Sequence, residues 1–148
     1  MRGVVAQLRP PALDGGLAAA LEWLVSEFER HADVTCDVDI DECARLLAPD
    51  AAAMVFRIAQ ESLNNVRRHA QAGRASLQLR VAGAFCELSV HDDGIGFDPP
   101  NRAAGYGILG MEERARALGG TLTISSKSGD GTTVRLRLPL PEAAIDHH

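Results

Sequence analysis

The segment PDAAAMVFRIAQESLNNVRRHA, at residues 49–70, carries the strongest structural signal in the chain. Its apolar residues recur at the spacing of a helix that turns about 100° per residue, which predicts a helix over about 50–70 with Asp50 as its cap. The apolar stripe comprises Val55, Ile58, Ala59, Ser62 and Val66. Polar residues follow the border of this stripe, namely Glu61, Asn65 and His69. A polar row beside a buried stripe is a place where the floor of a pocket can form.

The composition is that of a single folded domain. Of the 148 residues, 46% are apolar and 24% are charged, which is typical of a globular protein. The net charge is −5 and only 4% of residues are aromatic, so we expect neither charge-driven binding of nucleic acid nor base stacking. Lys127 is the only lysine, which excludes a Walker-type phosphate loop.

Signals for membrane insertion and for disulfides are missing from the sequence. No run approaches about 18 apolar residues and the N-terminus lacks a signal pattern, so we expect no membrane contact by this chain. The three cysteines have no C-x-x-C spacing and predict neither a disulfide framework nor a zinc site; they are Cys36, Cys43 and Cys86. This pattern predicts a reducing, cytoplasmic location and leaves open a membrane anchor in a longer protein.

The remaining patterns predict a two-layer α/β sandwich. We expect helices at about 15–31 and 108–118 and strands at about 33–40, 75–82, 85–92, 121–127 and 132–140. Asp14 is expected to cap the first helix. The strands alternate between apolar and polar residues, so helices should cover only one face of a mixed, mostly antiparallel sheet.

Asp92 ends the third predicted strand in the same phase as the apolar residues of that strand. It opens a D-x-G-x-G pattern, in which the carboxylate can accept a hydrogen bond from an amino group and Gly94 and Gly96 allow a planar ligand close to the backbone. The alternative is an ordinary Asp-Gly turn. Thr132 lies in the apolar phase of the last strand, whereas Thr133 does not.

A second glycine pattern, GYGILG at 105–110, matches G-x-G-x-x-G. No strand precedes it, so it does not predict a dinucleotide-binding fold. Its glycines can still expose backbone N–H groups to phosphate at the start of a helix, and the alternative is a flexible surface loop.

Together these motifs resemble the ATP-binding domain of histidine kinases in the GHKL superfamily. FRIAQESLNNVRRHA (56–70) resembles the N box, and DDGIGF (92–97) and GYGILGMEERARALGG (105–120) resemble the two glycine boxes, followed by GTTVRLRLP (131–139). LRPPALDGGLAAALEWL (8–24) is similar to the segment that precedes this domain in the NarL/DesK-type subfamily. The resemblance covers about residues 8–140 and implies a Bergerat fold.

The resemblance also implies roles for individual residues. Asp92 would bind the adenine amino group, with Gly94, Gly96 and Thr132 around the base. Asn65 would hold Mg²⁺ at the ATP phosphates. The other phosphate contacts would come from Arg68, His69 and a lid shaped by Gly105, Gly107 and Gly110. Glu61 would be the catalytic residue, as a base, a metal support or an orienting group.

The implied domains are the end of a dimerisation helix at 1–13, the ATP-binding domain at 14–141 and a disordered tail at 142–148. The implied activity is transfer of the γ-phosphoryl group to a histidine on a dimerisation domain that this chain lacks. Relay would follow to a response regulator with a LuxR-type output. Another GHKL ATPase, an anti-sigma-type serine kinase and a docking module without turnover remain alternatives.

Overall fold

The computed structural model describes residues 15–70, 73–94, 111–127 and 131–141, which form a five-stranded sheet with helices on one face. In chain order the elements are α1 (Leu17–His31), β1 (Thr35–Ile40), a 3₁₀ turn (Glu42–Arg45), α2 (Pro49–Asn65), a π-helical turn (Val66–Ala70), β2 (Arg74–Ala82), β3 (Phe85–Asp92), α3 (Glu112–Ala117), β4 (Thr121–Lys127) and β5 (Gly131–Pro139). The strand order is β1-β2-β3-β5-β4. Among the described strands only β1 and β2 pair in parallel, which confirms the predicted two-layer sandwich with a mixed, mostly antiparallel sheet.

The apolar stripes predicted for the two long helices are confirmed. In α2 the stripe packs against β3 and β5, and all five of its predicted members are buried. The hydroxyl of Ser62, the one polar member, donates to the carbonyl oxygen of Ile58 at 2.7 Å and so carries no unpaired group into the core. Helix α1 packs against α2 and buries its predicted residues Leu17, Leu21, Leu24, Val25 and Phe28.

Both predicted helix caps need correction. Ala48 is the N-cap of α2, Pro49 is its first residue, and Asp50 lies inside the first turn rather than at the cap. Proline suits the first helical position because it has no N–H to leave unpaired and its φ is already helical. The negative charge of Asp50 still interacts favourably with the positive, N-terminal end of the helix dipole. Helix α1 begins after Gly16, and Asp14 lies outside the described residues.

Helix α2 does not continue as an α-helix to residue 70. It ends at Asn65, and a π-helical turn occupies Val66–Ala70. The wider π turn places more residues in each turn, so the predicted row of Glu61, Asn65 and His69 cannot be extended past Asn65 by α-helical spacing. Such turns occur frequently at functional sites.

The sheet separates an apolar face under the helices from a polar outer face. On the outer face Gln78, Arg80, Arg135 and Arg137 are exposed, as the one-sided alternation predicts. Strand β1 is shorter than predicted and lies at the edge of the sheet, where Val38 is 40% exposed although its phase is apolar. The helix layer covers this edge incompletely, so sequence phase alone overstates its burial.

Two further elements differ from their prediction. Helix α3 is shorter than predicted and begins at Glu112; residues 101–110 are outside the described ranges. The 3₁₀ turn between β1 and α2 was not predicted. In the described part of the chain, no helix combines the length and apolar character needed to span a membrane.

Gly120 lies between α3 and β4, where its backbone passes close to strand β5. A Cβ atom at this position would lie 1.9 Å from the carbonyl oxygen of Arg137, whereas a Cβ atom at Gly73 would meet nothing within 4 Å. We expect Gly120→Ala to lower the free energy of unfolding by about 1–3 kcal/mol or more, because β5 must move to relieve the clash. Gly73→Ala is the matched control. Urea unfolding monitored by circular dichroism measures both, and equal midpoints would contradict the prediction.

Candidate functional site

Asp92 is a buried carboxylate at the end of an apolar strand. It is the last residue of β3 and only 3% exposed, in phase with the buried Leu88 and Val90 as the strand pattern predicts. Its Oδ1 accepts a hydrogen bond from the backbone N–H of Gly94 at 2.8 Å. An ionised carboxylate has about four acceptor positions. Its contacts with the described residues therefore leave capacity to accept from a ligand.

Burial controls the charge of this group. Desolvation raises the pKa of Asp92 above its ordinary value, and the hydrogen bond from Gly94 opposes that shift without cancelling it. An acid with a raised pKa in the folded state is less stable as a carboxylate there than in the unfolded chain. A carboxylate kept at this cost on the apolar face of a sheet is a functional-site candidate.

The pairing of β3 with β5 confirms the position predicted for Thr132. Asp92 lies opposite Thr132 in the register, and the Thr132 hydroxyl lies 2.8 Å from the hydroxyl of Ser126 on β4. Thr133 projects to the outer face, where its hydroxyl lies 2.8 Å from Nδ1 of His91. The strand phase thus identifies the threonine that accompanies Asp92 on the helix side of the sheet.

Gly131 belongs to this site and was not among the predicted site residues. Its φ is +83°, and a Cβ atom there would lie 2.1 Å from the carbonyl oxygen of Asp92. Only a glycine allows the two backbones to approach this closely at this φ. The sequence S-G-D-G at 128–131 is typical of a turn and could have drawn attention to Gly131, but the contact with Asp92 depends on the strand register.

Asp93 fixes the end of β3 to the beginning of β2. Its Oδ1 accepts hydrogen bonds from the backbone N–H groups of Gly73 and Arg74, each at 3.0 Å, and its own N–H donates to the carbonyl of Arg74. These hydrogen bonds, that of Arg74 foremost, lower the pKa of Asp93. The two adjacent acids therefore differ in environment: Asp93 is exposed and joins β3 to β2 by hydrogen bonds, whereas Asp92 is a buried hydrogen-bond acceptor.

The predicted phosphate-side residues lie at the C-terminal end of α2 and in the turn after it. Glu61 and Asn65 are half-buried, as the border row predicts. Arg68, in the π turn, is exposed. The backbone of His69 lies in the same turn, but its side chain is outside the described part of the structure.

The donor set near Asn65 suits a hard cation held mainly by a substrate. Carboxamide and carboxylate oxygens are ordinary Mg²⁺ ligands, and this ion usually binds through one or two protein groups together with substrate phosphates. Among the described residues no cluster of three or more His, Cys, Asp or Glu side chains could hold a metal alone. The residues present therefore fit a phosphate-bridged Mg²⁺ rather than an all-protein metal site.

Four predicted glycines cannot be located. Gly96, Gly105, Gly107 and Gly110 all lie outside the described residues, so their roles remain predictions. The division of the chain at 1–13, 14–141 and 142–148 likewise stays a prediction.

A cavity of about 230 Å³ lies on the other side of α2, between that helix and α1. Its lining includes Trp23, Phe28, Gln60, Asn64 and Arg67. Gln60 and Asn64 line this cavity, whereas Glu61 and Asn65 do not, so we treat it as distinct from the candidate site. The two sides of α2 thus offer a comparison, with Asn65 in the candidate site and Asn64 beside this cavity.

Known proteins similar to this chain are sensor kinases. It is 34% identical over 142 residues to the sensor histidine kinase LiaS of Bacillus subtilis (strain 168), covering 95% of this chain and 39% of LiaS. It is 39% identical over 140 residues to the signal transduction histidine-protein kinase/phosphatase UhpB of Salmonella typhimurium (strain LT2), covering 92% of this chain and 28% of UhpB. The chain therefore spans less than half the length of either relative.

A solved structure has the same fold. The blue-light activated histidine kinase EL346 of Erythrobacter litoralis superposes with a TM-score of 0.64 at 25% identity, over 84% of this chain and 42% of that structure. A family model for histidine kinase-, DNA gyrase B- and HSP90-like ATPases matches residues 50–142, which is more than half of the chain and includes α2, β3 and β5. The chain belongs to the family of histidine kinase-, DNA gyrase B- and HSP90-like ATPases.

Proposed function

We propose that this chain is the ATP-binding catalytic domain of a sensor histidine kinase. It would bind ATP with Mg²⁺ and present the γ-phosphoryl group to a histidine on a dimerisation domain. Membership of an ATPase family supports ATP as the ligand. The sensor kinases among the relatives support phosphoryl transfer to a histidine as the reaction. The observation that carries the proposal is the buried carboxylate of Asp92 between Gly94 and Thr132.

Asp92 would select adenine over guanine. A buried carboxylate accepts hydrogen bonds and cannot donate them once ionised, so it matches the exocyclic amino group of adenine. Guanine has a carbonyl oxygen at the corresponding position and would face the carboxylate with a second acceptor. A mismatched buried polar group is costly, so the site should prefer ATP to GTP. The backbone of Gly94 and the hydroxyl of Thr132 would line the same end of the pocket.

The C-terminal part of α2 supplies the phosphate side of the proposed site. The Asn65 carboxamide oxygen would bind Mg²⁺, which neutralises phosphate charge when bound. Arg68, being exposed, is free to approach phosphate oxygens as a charged donor, with His69 as its neighbour in the π turn. Glu61 lies one helical turn before Asn65 and would orient the metal site or remove a proton from the attacking nucleophile. A lid shaped by Gly105, Gly107 and Gly110 would close over the phosphates.

The acceptor histidine is expected on another segment. In the described residues His31 lies at the C-terminal end of α1 beside Glu27, and His91 is on the outer face of the sheet with Thr133. His91 therefore lies on the opposite face of the sheet from Asp92. We propose a dimerisation domain of the same kinase as the phosphoryl acceptor and a response regulator with a LuxR-type output as the next partner, in the cytoplasm.

The first test separates binding from folding at Asp92. Asp92→Asn should weaken ATP binding roughly 10- to 100-fold, since it removes a charge-assisted acceptor from the base. The same change should raise the urea midpoint at pH 7, because the raised pKa means that the ionised carboxylate destabilises the folded state. That gain should shrink as the pH falls and the wild-type carboxyl group becomes protonated.

The measurements are fluorescence titration with a labelled ATP analogue and urea unfolding between pH 7 and pH 4. Asp93→Asn is the matched control, because an amide oxygen at this position can still accept from Gly73 and Arg74. Equal nucleotide affinity in wild type and Asp92→Asn would rule out the proposed role of Asp92. Loss of affinity together with a lowered urea midpoint would indicate a folding defect instead.

The second test concerns the metal and compares adjacent asparagines on α2. Asn65→Ala should remove most of the increase in ATP affinity that Mg²⁺ produces, a loss of roughly tenfold or more. Asn64→Ala changes the same residue type beside the cavity between α1 and α2 and should keep the Mg²⁺ effect. Titrations with Mg²⁺ and with a chelator measure the effect, and an equal response in both variants would contradict Asn65 as a ligand.

The third test concerns the reaction. With radiolabelled ATP the chain alone should form no acid-labile phosphohistidine, and addition of the dimerisation segment of its parent kinase should produce it. Hydrolysis of ATP without transfer would instead indicate an ATPase, and acid-stable phosphoserine on a partner would indicate a serine kinase. Binding with neither hydrolysis nor transfer would indicate a docking module.

A further inference from the structure

Two of the three cysteines meet inside the core. Cys43, in the 3₁₀ turn, and Cys86, near the beginning of β3, are both buried, and their Sγ atoms lie 2.9 Å apart. A disulfide bond has an S–S length of about 2.05 Å, so the sulfur atoms need to approach by less than about 1 Å. We propose that Cys43 and Cys86 form a reversible oxidation site, closed to a disulfide by a hydroperoxide. This inference does not depend on the proposed kinase activity.

The surroundings make Cys43 the attacking sulfur. The Cys86 thiol donates a hydrogen bond to Cys43, which lowers the pKa of Cys43, and the same bond together with burial raises the pKa of Cys86. Thiolate is the reactive form of cysteine, so attack by Cys43 with Cys86 as the resolving thiol is the favoured order.

The third cysteine differs in both geometry and protonation. Cys36 lies in β1, and its sulfur contacts the backbone carbonyl of Asp37 at 3.8 Å rather than another sulfur. Burial, followed by the charges of Glu29 and Asp37, raises the pKa of Cys36 to about 12. It is therefore protonated near neutral pH and serves as an internal control for nonspecific oxidation.

The reaction balances with one hydroperoxide for each pair of thiols. With hydrogen peroxide as the oxidant, the Cys43 thiolate attacks one peroxide oxygen and the O–O bond breaks. The leaving hydroxide becomes water by taking the proton that the Cys43 thiol released on ionisation. The sulfur of Cys86 then attacks the Cys43 sulfenic acid, the S–O bond breaks, and the hydroxide leaves as a second water with the proton of Cys86. Each sulfur loses one electron, and the two peroxide oxygens gain them.

Access requires only a local opening. The 3₁₀ turn is four residues long, and within it the N–H groups of Ala44 and Leu46 donate to the carbonyls of Asp41 and Cys43. Asp41, just before the turn, accepts from the N–H of Glu42 and is tied to β2 by hydrogen bonds with Leu79 and Val81. Leu46, just after the turn, is 41% exposed. Short elements with few hydrogen bonds open more readily than a central strand, so a small oxidant can reach Cys43 without unfolding of the sheet.

The bond would cross-link the part of the chain that carries the candidate site. The segment between Cys43 and Cys86 contains α2, with Glu61 and Asn65, and strand β2. Closing this segment reduces the conformational freedom of the unfolded chain. The oxidised domain should therefore unfold at a higher urea concentration than the reduced domain.

The experiment treats the folded chain with hydrogen peroxide, alkylates the remaining thiols under denaturing conditions and maps peptides by mass spectrometry. Digestion must combine trypsin with a protease that cleaves before aspartate, because Cys36 and Cys43 share one tryptic peptide and Asp41 lies between them. We expect a peptide pair in which Cys43 is cross-linked to Cys86, with a mass about 2 Da below the sum of the two reduced peptides. Cys36 should be alkylated, and dithiothreitol should reverse the cross-link. Three alkylated thiols, a bond that includes Cys36, or sulfonic acids without a cross-link would overturn the proposal.

Two controls keep the result specific. Oxidation in urea should favour a disulfide between Cys36 and Cys43, because these two residues are close in sequence. A disulfide between Cys43 and Cys86 in the folded chain would therefore depend on the native geometry. Cys36→Ser should retain the cross-link and the increase in urea midpoint on oxidation, whereas Cys43→Ser should lose both. The cross-link is identified in the wild-type chain itself. A folding defect in Cys43→Ser would therefore not change the conclusion drawn from the wild-type peptide map.

Discussion

The candidate site depends on one constraint, the burial of a carboxylate at the end of an apolar strand. Strand β3 pairs with β2 on one side and β5 on the other, so its inward residues are enclosed by neighbouring strands and by α2. Asp92 continues that inward phase and therefore cannot turn to solvent without leaving the strand geometry. The surrounding elements hold the acid in place: the backbone N–H of Gly94 donates to the carboxylate, and Gly131 permits the close approach of β5.

The same constraint explains why the charges of the two adjacent acids have opposite effects on the stability of the fold. Asp93 is exposed, accepts two backbone hydrogen bonds and stabilises the fold above its lowered pKa, an effect that is lost as the pH falls through that pKa. Asp92 is disfavoured as an anion in the folded state by burial. One acid thus secures the strand ends, while the other holds a charge in an environment that a ligand's donor group would relieve. If Asp92 binds the base as proposed, the site gives up stability for recognition.

Sequence phase predicted most of this geometry, because β3 and β5 are central strands whose two faces differ clearly. The phase distinguished Thr132 from Thr133, and the register confirms that distinction. It failed at the edge strand, where Val38 is exposed, and beyond Asn65, where the π turn ends the α-helical spacing. It also could not detect the contact of Cys43 with Cys86, since that contact depends on an unpredicted 3₁₀ turn and on strand pairing between distant segments. Local periodicity describes faces, whereas these three features depend on edges and on tertiary contacts.

Helix α2 links the candidate site to the rest of the domain because its sides face different surroundings. Its apolar stripe packs on β3 and β5, Glu61 and Asn65 follow the border of that stripe, and Asn64 lines the cavity beside α1. A shift of α2 along the sheet would move Glu61 and Asn65 relative to Asp92, so the buried stripe sets the distance between the residues proposed for the phosphates and the residue proposed for the base. The proposed disulfide would act on that same spacing, since it ties the turn before α2 to the strand that ends in Asp92. Core packing and the geometry of the candidate site are therefore linked in this domain: the residues that exclude water from the sheet also fix the positions of the side chains proposed to bind the two ends of the nucleotide.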